Sequence, residues 1–397
     1  MPHVPDALAR SSADAAARSA PLTRRAARAR SPLRLRLRMP GDVVAVLVVA
    51  LAWFAYAYAL DPHLPGHEAK LGWFGWSDQA AYLNEARAML AGDQDPDRYR
   101  YPYGYPLLAV PFLALTPRDP FLLPNAAAYA ATVCLSYAAA RERLGRHGAA
   151  LTVVLLLLAS PLTKLTLVPW NTTPALVTAA YWWWLGLRRG APSTGQAALG
   201  GFALALTALS RGGGEVICLA PLVGVTLLRS RRAPGFATRV LVVGGAVLGV
   251  AVLSVGATLA LFGTPVQPYY QTVTSSQFGF DVTAIPSHLW GTIVGFGAGS
   301  GFWPPLLRDA GWLVLAPLGA GLAVRRAAAL RAVHVGAVAT LVLAFLATGA
   351  YGAFKAENLR FFNLHYVKMW LPLLAFYAVA ALARLAGAAR PTAIEPS

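Results

Sequence analysis

Residues 76–106 read WSDQAAYLNEARAMLAGDQDPDRYRYPYGYP, the one long polar segment in the hydrocarbon-soluble part of this chain, and they hold Asp78, Glu85, Asp93, Asp95 and Asp97. Ser77 is placed to cap a helix and Gly92 to end it, which puts Asp78 in the first turn, where the helix dipole favours a carboxylate. At about 100° per residue, Tyr82, Ala86, Met89 and Leu90 share an apolar face with Asp78 and Glu85 along its edge. Such a helix lies on a membrane surface with its carboxylates turned toward the protein body. The plainer role for Asp78 is to serve the helix terminus alone.

Working outward, hydrophobic residues make up 57% of the chain and charged residues 13%, and the mean hydropathy is +0.51. These values lie outside soluble usage and imply a polytopic membrane protein. The net charge of +17 invites a nucleic-acid reading that the charge positions exclude. Nine arginines precede Gly41 in a Ser/Ala/Arg/Pro-rich segment that cannot bury a core, so 1–41 is expected to be a disordered, basic cytoplasmic tail. The apolar run that follows is a full span with no small-residue cleavage site and reads as an uncleaved anchor. Cys134 and Cys218 both fall in apolar runs, which suggests neither a disulfide nor a metal site.

The positive-inside rule then sets the topology. The first span, 43–60, leads to an outer loop at 61–118. Within it, 105–115 is apolar but too short to cross and is broken by Pro106 and Pro111, so it reads as re-entrant or interfacial. Further spans are expected at 121–140, 149–168, 174–187, 197–209, 216–228, 240–262, 312–324, 333–354 and 362–385. The fold class is therefore all-α, with about ten transmembrane helices across 42–386, both termini cytoplasmic and a second outer loop at 263–308. Residues 387–397 form a short cytoplasmic tail. The Ala/Arg/Gly/Pro bias suits a GC-rich bacterial genome and hence a plasma membrane.

Of 34 basic residues only Lys70, Lys164, Lys355 and Lys368 are lysines, and this topology puts all four on or near the outer side. Lys164 and Lys355 also suit snorkelling side chains at span ends. Lys368 lies inside the last apolar run with His365 one turn before it, and an ionisable residue there is by default a functional candidate. Arg211 sits in LSRGGGE at 209–215, where three glycines free backbone amides for close approach, so an anion such as a lipid phosphate would suit the turn. The alternative is a helix hairpin in which Arg211 and Glu215 neutralise one another.

These features resemble the GT-C superfamily of integral-membrane glycosyltransferases, which includes protein mannosyltransferases, lipid A aminoarabinose transferase and bacterial polyprenyl-phosphate-sugar-dependent enzymes. SDQAAYL at 77–83 is similar to the catalytic-loop signature of that family, and YPYGYPLL at 101–108 resembles its Tyr-Pro-Pro-Gly-Tyr-Pro segment. Leu144-Gly145-Arg146, Ser160-Pro161, Leu209-Ser210-Arg211 and Arg360-Phe361-Phe362 recur in the family's order. The resemblance runs from about residue 43 to 385 and departs from the pattern at Gln79, where the family usually has an acid, and at Gly212, where it usually has a proline.

The resemblance implies transfer of a sugar from a polyprenyl-phosphate donor to a hydroxyl on a glycan, lipid or protein at the outer face. Asp78 is then the expected base, with Glu85 a second catalytic carboxylate or an acceptor contact. Arg211, Lys368, Arg360 and Lys164 are the candidates for holding the donor phosphate. Tyr82, Tyr101, Tyr103, Tyr105 and His365 are candidates for the substrate, and Trp73, Trp76, Trp170, Trp290 and Trp303 offer further aromatic faces, although Tyr and Trp also populate the ordinary interface belt. With one carboxylate where many members have two, a divalent cation at Asp78 stays open, and no metal-ligand set is assigned. From another class, a transporter or flippase of an amphiphilic envelope precursor shares the Gly/Pro-broken segments around Pro169, Pro174 and 211–214, but lacks support from any internal repeat. A ligase or polymerase of cell-wall glycans would share the outer-face chemistry.

Overall fold

Apolar runs punctuated by Gly, Pro and Arg become helices throughout, and no strand occurs among the described residues. The structure, a computed structural model, describes residues 40–65, 71–211, 213–267, 283, 285–287, 306–350 and 368–387. In chain order the helices are α1 (Gly41–Ala59), α2 (Ser77–Ala91), α3 (Gly104–Ala109), α4 (Leu122–Leu158), α5 (Ser160–Leu167), α6 (Thr173–Leu187), α7 (Thr194–Arg211), α8 (Gly214–Leu228), α9 (Phe236–Phe262), α10 (Leu306–Asp309), α11 (Ala316–Arg326), α12 (Arg331–Ala350) and α13 (Leu371–Leu385).

Four segments among the described residues are long and apolar enough to cross a membrane: Gly41–Ala59, Phe236–Phe262, Ala328–Ala347 and Lys368–Leu385. A fifth arises if α4 and α5, bent by 58° at their junction, count as one span. This is fewer than the roughly ten spans expected. The reason is length: α6 and α8 have 15 residues each and α11 has 11, against about 20 for a full crossing. α6 is instead sunk in the body, with nearly all of its side chains buried.

The two spans expected at 121–140 and 149–168 run together as the 37-residue α4, which Gly145 interrupts with φ 72° and ψ −176°. A left-handed φ costs glycine little, so the interruption falls at the charged turn 141–146 rather than in either apolar run. The second run does not continue straight to 168. It breaks at Ala159, and Pro161 sits in the first turn of α5, where proline's missing N–H is no loss. The segment expected to be re-entrant is the six-residue α3 followed by a 3-10 turn at Val110–Phe112, too short to cross.

The core forms around α6, which packs against α4, α7 and α8; α13 lies against α4 and α11, α12 against α8, and α9 against α7. Trp182 and Trp183 are fully buried, and Trp183 meets Phe376 edge-on at 5.2 Å and His334 at 5.7 Å. Truncating such a side chain to Ala costs roughly 3–5 kcal/mol. At the end of the body that carries the 141–146, 188–190 and 229–235 turns, arginines close helix C-termini. Arg143 Nε donates to Leu187 O at 2.7 Å, and Arg229 Nη2 donates to Arg188 O and Gly190 O at 2.8 and 2.9 Å. The buried Arg239 donates to Pro234 O at 2.8 Å and Ser230 O at 3.1 Å.

Candidate functional site

α2 begins one residue earlier than a Ser77 cap would require. Trp76 is the N-cap, in an extended conformation and without a side-chain cap bond, and Ser77 Oγ instead accepts Arg100 Nη1 at 3.0 Å. Asp78 occupies the first turn and Gly92 closes the helix with φ 66°, as the sequence predicts. The buried face holds Gln79, Tyr82, Leu83, Glu85, Ala86 and Ala88. It is rotated toward Glu85 from the expected stripe, leaving Met89 half-buried and Leu90 61% exposed. Asp78 therefore stays half-buried at the edge while Glu85 is 0% exposed.

The residue joining the two carboxylates is Tyr101. Its hydroxyl donates to Asp78 Oδ1 at 2.6 Å, its N–H donates to Glu85 Oε1 at 2.8 Å, and its carbonyl accepts Gln267 Nε2 at 3.0 Å. Glu85 Oε1 also accepts the Arg100 N–H at 2.7 Å, whereas Oε2 is buried with no partner among the described residues. Burial pushes the Glu85 carboxyl up to about 8, against the opposing pull of the Tyr101 and Arg100 N–H groups and the Arg100 charge. A group so enclosed cannot meet a substrate directly in this conformation.

The other tyrosines pack into one wall. Tyr82 lies 4.9 Å from Tyr101 and 5.3 Å from Tyr105 between ring centroids. Tyr105 stacks on Phe121 at 4.8 Å and donates to Asn125 Oδ1 at 3.0 Å, while the Tyr103 hydroxyl lies 3.3 Å from Thr258 Oγ1. All four rings are at least nine-tenths buried. They shape the site from behind rather than offering open stacking faces. Gly104 lets this wall sit directly on α7, since a Cβ there would lie 2.6 Å from Ser210 Oγ and 2.7 Å from Ser210 N.

That contact brings the wall to the end of α7 where Arg211 sits. Arg211 Nε pairs with Glu215 Oε1 at 2.8 Å, the neutralised hairpin weighed from the sequence, and Nη1 reaches Asn171 Oδ1 at 3.3 Å. Lys368 is fully buried, and its ammonium donates to Leu165 O at 2.7 Å and Thr173 Oγ1 at 3.0 Å. Gln79, next to Asp78, donates to Pro169 O at 2.9 Å. The 169–173 turn is thus a hub on which the start of α2, Arg211 and Lys368 all converge. The carbonyl that Gln79 meets requires a donor, so an ionised carboxylate at this position would be repelled there.

Lys164 is exposed on α5, one residue from the Leu165 carbonyl that holds Lys368. Arg360 and His365 lie outside the described residues, as do Lys70, Lys355, Trp290 and Trp303. Asn125, Asn171 and Thr173 belong to the site without having been singled out beforehand. For Asn171 and Thr173 the signal in the sequence is the run Asn171-Thr172-Thr173 between two prolines and two apolar helices. Asn171 Nδ2 and Ser210 Oγ are buried without partners among the described residues, which leaves polar capacity beside Arg211. No group of three or more His, Cys, Asp or Glu side chains comes together among the described residues.

An all-helical body with one carboxylate-bearing helix folded over its polar end is the arrangement that the sequence resemblance implies. The comparison with solved structures agrees. The chain superposes on ArnT from Cupriavidus metallidurans bound to undecaprenyl phosphate with a TM-score of 0.58 at 20% identity, covering 87% of this chain and 60% of that one. The apo state of the same protein gives a TM-score of 0.57 at 19% identity, with the same coverage. The chain thus spans about 60% of the length of the structures it matches. No protein-family model and no curated protein sequence matches it.

Proposed function

We propose that this chain is a membrane glycosyltransferase that moves a sugar from a polyprenyl-phosphate donor to a hydroxyl of a glycan, lipid or protein at the outer face of the plasma membrane. The observation that carries the reading is the convergence of Asp78, Arg211 and Lys368 on one end of the helical body, tied together by Tyr101, Gly104 and the 169–173 turn. The ArnT structure with undecaprenyl phosphate supports a lipid-phosphate donor on a fold of this kind. About ten membrane passages with both termini cytoplasmic belong to the same proposal, the short helices crossing together as a packed bundle rather than singly.

The chemistry follows from the groups present. The acceptor oxygen attacks the anomeric carbon, the bond from that carbon to the phosphate oxygen breaks, and the acceptor proton passes to Asp78. Asp78 Oδ1 is held by the Tyr101 phenol, which orients the carboxylate so that its second oxygen can face the acceptor. The polyprenyl phosphate leaves with its electron pair. Fixed cation charge on Arg211 stabilises that leaving group in a water-poor setting, and Lys368 holds the 169–173 turn behind it. Glu215 offsets part of the Arg211 charge in the absence of an anion.

Purified protein given an undecaprenyl-phosphate hexose and an octyl glycoside acceptor tests the proposal. Transfer by the wild type, lowered about 10²-fold or more in Asp78→Asn with donor affinity little changed, is the expected result. Donor movement across liposomes without any transfer would replace the enzyme with a transporter.

A further inference from the structure

We propose that Glu85 is a positioning residue for Asp78, acting through the 98–101 turn and the Tyr101 phenol, and that loss of its proton loosens this linkage. The proposal rests on Asp78 being the base. It begins from geometry: one oxygen of a wholly buried carboxyl accepts two successive backbone N–H groups, from Arg100 at 2.7 Å and Tyr101 at 2.8 Å. Two bonds to neighbouring amides fix the orientation of that peptide unit, and with it the direction in which the Tyr101 side chain leaves the backbone. The ring is then confined by Tyr82 at 4.9 Å and by the Arg100 guanidinium at 5.5 Å. Its hydroxyl ends 2.6 Å from Asp78 Oδ1. The chain from Glu85 through Tyr101 to Asp78 starts and ends on the same helix, about two turns apart, so α2 and the turn brace each other.

The surroundings of Glu85 decide which protonation state suits this brace. The elements packed on α2 are the 3-10 turns Gly72–Gly75, Pro96–Arg98 and Val110–Phe112, and α3. Among these described elements, Pro96–Arg98 brings the charges, Asp97 and Arg98. α2 itself adds Asp78 and Arg87, the adjoining loop adds Asp93, Asp95 and Arg100, and the nearby phenols are Tyr82, Tyr99, Tyr101, Tyr103 and Tyr105. Of the cations, Arg98 is spent on Asp93 and Asp95, and the Arg100 guanidinium reaches Ser77 and the Tyr101 ring. A negative charge on Glu85, with Oε2 partnerless, is therefore poorly compensated. Burial accordingly pushes the group up from 4.5 to about 8. A carboxyl raised in this way stabilises the folded turn fully below its unfolded value, and that contribution is lost as pH rises through about 8.

The test combines hydrogen exchange with turnover on the full-length protein in nanodiscs, from pH 6 to 9.5. After correction for intrinsic exchange, protection of the Arg100 and Tyr101 amides falls tenfold or more between pH 6 and 8 in the wild type and levels off above that. It stays level in Glu85→Gln, which keeps the acceptor oxygen but cannot ionise, and it is lost at every pH in Glu85→Ala. With an undecaprenyl-phosphate hexose and octyl glycoside, wild-type kcat falls as pH rises through about 8 with donor KM unmoved. Glu85→Gln loses the alkaline fall at the expense of a few-fold in rate, and Glu85→Ala loses tenfold or more throughout. Tyr101→Phe keeps the amide protection yet lowers kcat, which isolates the last link. An unchanged alkaline fall in Glu85→Gln, or full amide protection in Glu85→Ala, overturns the proposal; should Glu85→Ala fail to fold, Glu85→Gln and Tyr101→Phe still decide it. Wild-type transfer by Asp78→Asn refutes the base instead, and leaves the exchange results to judge Glu85 by themselves.

Discussion

Replacing Gly104 by Ala adds one methyl group at the tightest contact between the tyrosine wall and the helical body. That methyl would lie 2.6 Å from Ser210 Oγ and 2.7 Å from both Leu209 C and Ser210 N, where ordinary contact begins at 3.4 Å. Two of the three atoms are backbone of α7 and cannot rotate aside, so α3 must retreat by roughly 0.8 Å. Overpacking of this kind costs about 1–3 kcal/mol. The larger effect is on the site, because α3 carries Tyr105 and follows directly on Tyr101, and a displacement near 1 Å in a catalytic arrangement can cost about 10²-fold in rate. Gly92→Ala is the control: it strains a residue at φ 66° by about 1 kcal/mol but meets nothing within 4 Å. Thermal unfolding and hexose transfer on both variants should show Gly104→Ala slowed about a hundredfold and Gly92→Ala slowed by less than threefold. Wild-type rate and stability in Gly104→Ala would mean that α3 does not seat on α7.

Burial raises the Asp119 carboxyl from 3.8 to about 6, against the hydrogen bonds from Tyr58, Phe121 and Leu122, so its stabilising contribution is complete below pH 4 and gone above 6. Asp119→Asn, which cannot ionise, should therefore gain on the wild type by up to about 3 kcal/mol between pH 4 and pH 7, and a Tm difference that does not move with pH would count against this. Arg211→Ala should weaken binding of undecaprenyl phosphate by about 10- to 100-fold, a charge-assisted contact being worth roughly 1.5–3 kcal/mol, with Lys368→Met weaker in effect because its ammonium is sealed from the surface; titration of a fluorescent lipid reads both, and equal binding in all three proteins returns the cations to structural roles. Single cysteines placed at 78 and 211 should be labelled from outside and those at 146, 189 and 325 from inside, and outside labelling at 146 would dissolve the common outer site.

Local signals carried a good part of the fold. The first-turn Asp78, the closing Gly92, the short 104–112 segment and the broken 209–214 hairpin all follow from residue type and spacing over a few positions. What escaped was whatever depends on partners distant in the chain. A helical wheel places Glu85 at the edge of a stripe, but the depth to which the 98–101 turn covers it is set by packing, and the wheel has no term for that. Tyr101 and Asp78 meet across 23 residues, with no periodicity to announce it. Asn171 and Thr173 look like ordinary turn residues until Arg211 and Lys368 arrive from other helices. Hydropathy reports burial without saying whether lipid or protein does the burying, so the roughly ten apolar runs of the sequence stand beside four or five segments among the described residues that are long and apolar enough to cross, with α6 enclosed by protein.

The arginines that close the helix ends change the meaning of the chain's basic charge. Thirty of its 34 cationic side chains are arginine, although lysine would orient the segments equally well during insertion, since that step counts only positive charge. A guanidinium has a rigid fork of donors and an ammonium does not. The fork lets Arg143 hold the Leu187 carbonyl through Nε and Nη2, and Arg239 gather carbonyls from the turn before α9 through Nη1 and Nη2. Charge and shape are thus separable demands on the same positions, one read once by the insertion machinery and the other maintained for the lifetime of the protein. A lysine-for-arginine exchange at 143, 229 and 239 would leave the threading of the chain intact and fray that end of the helical body.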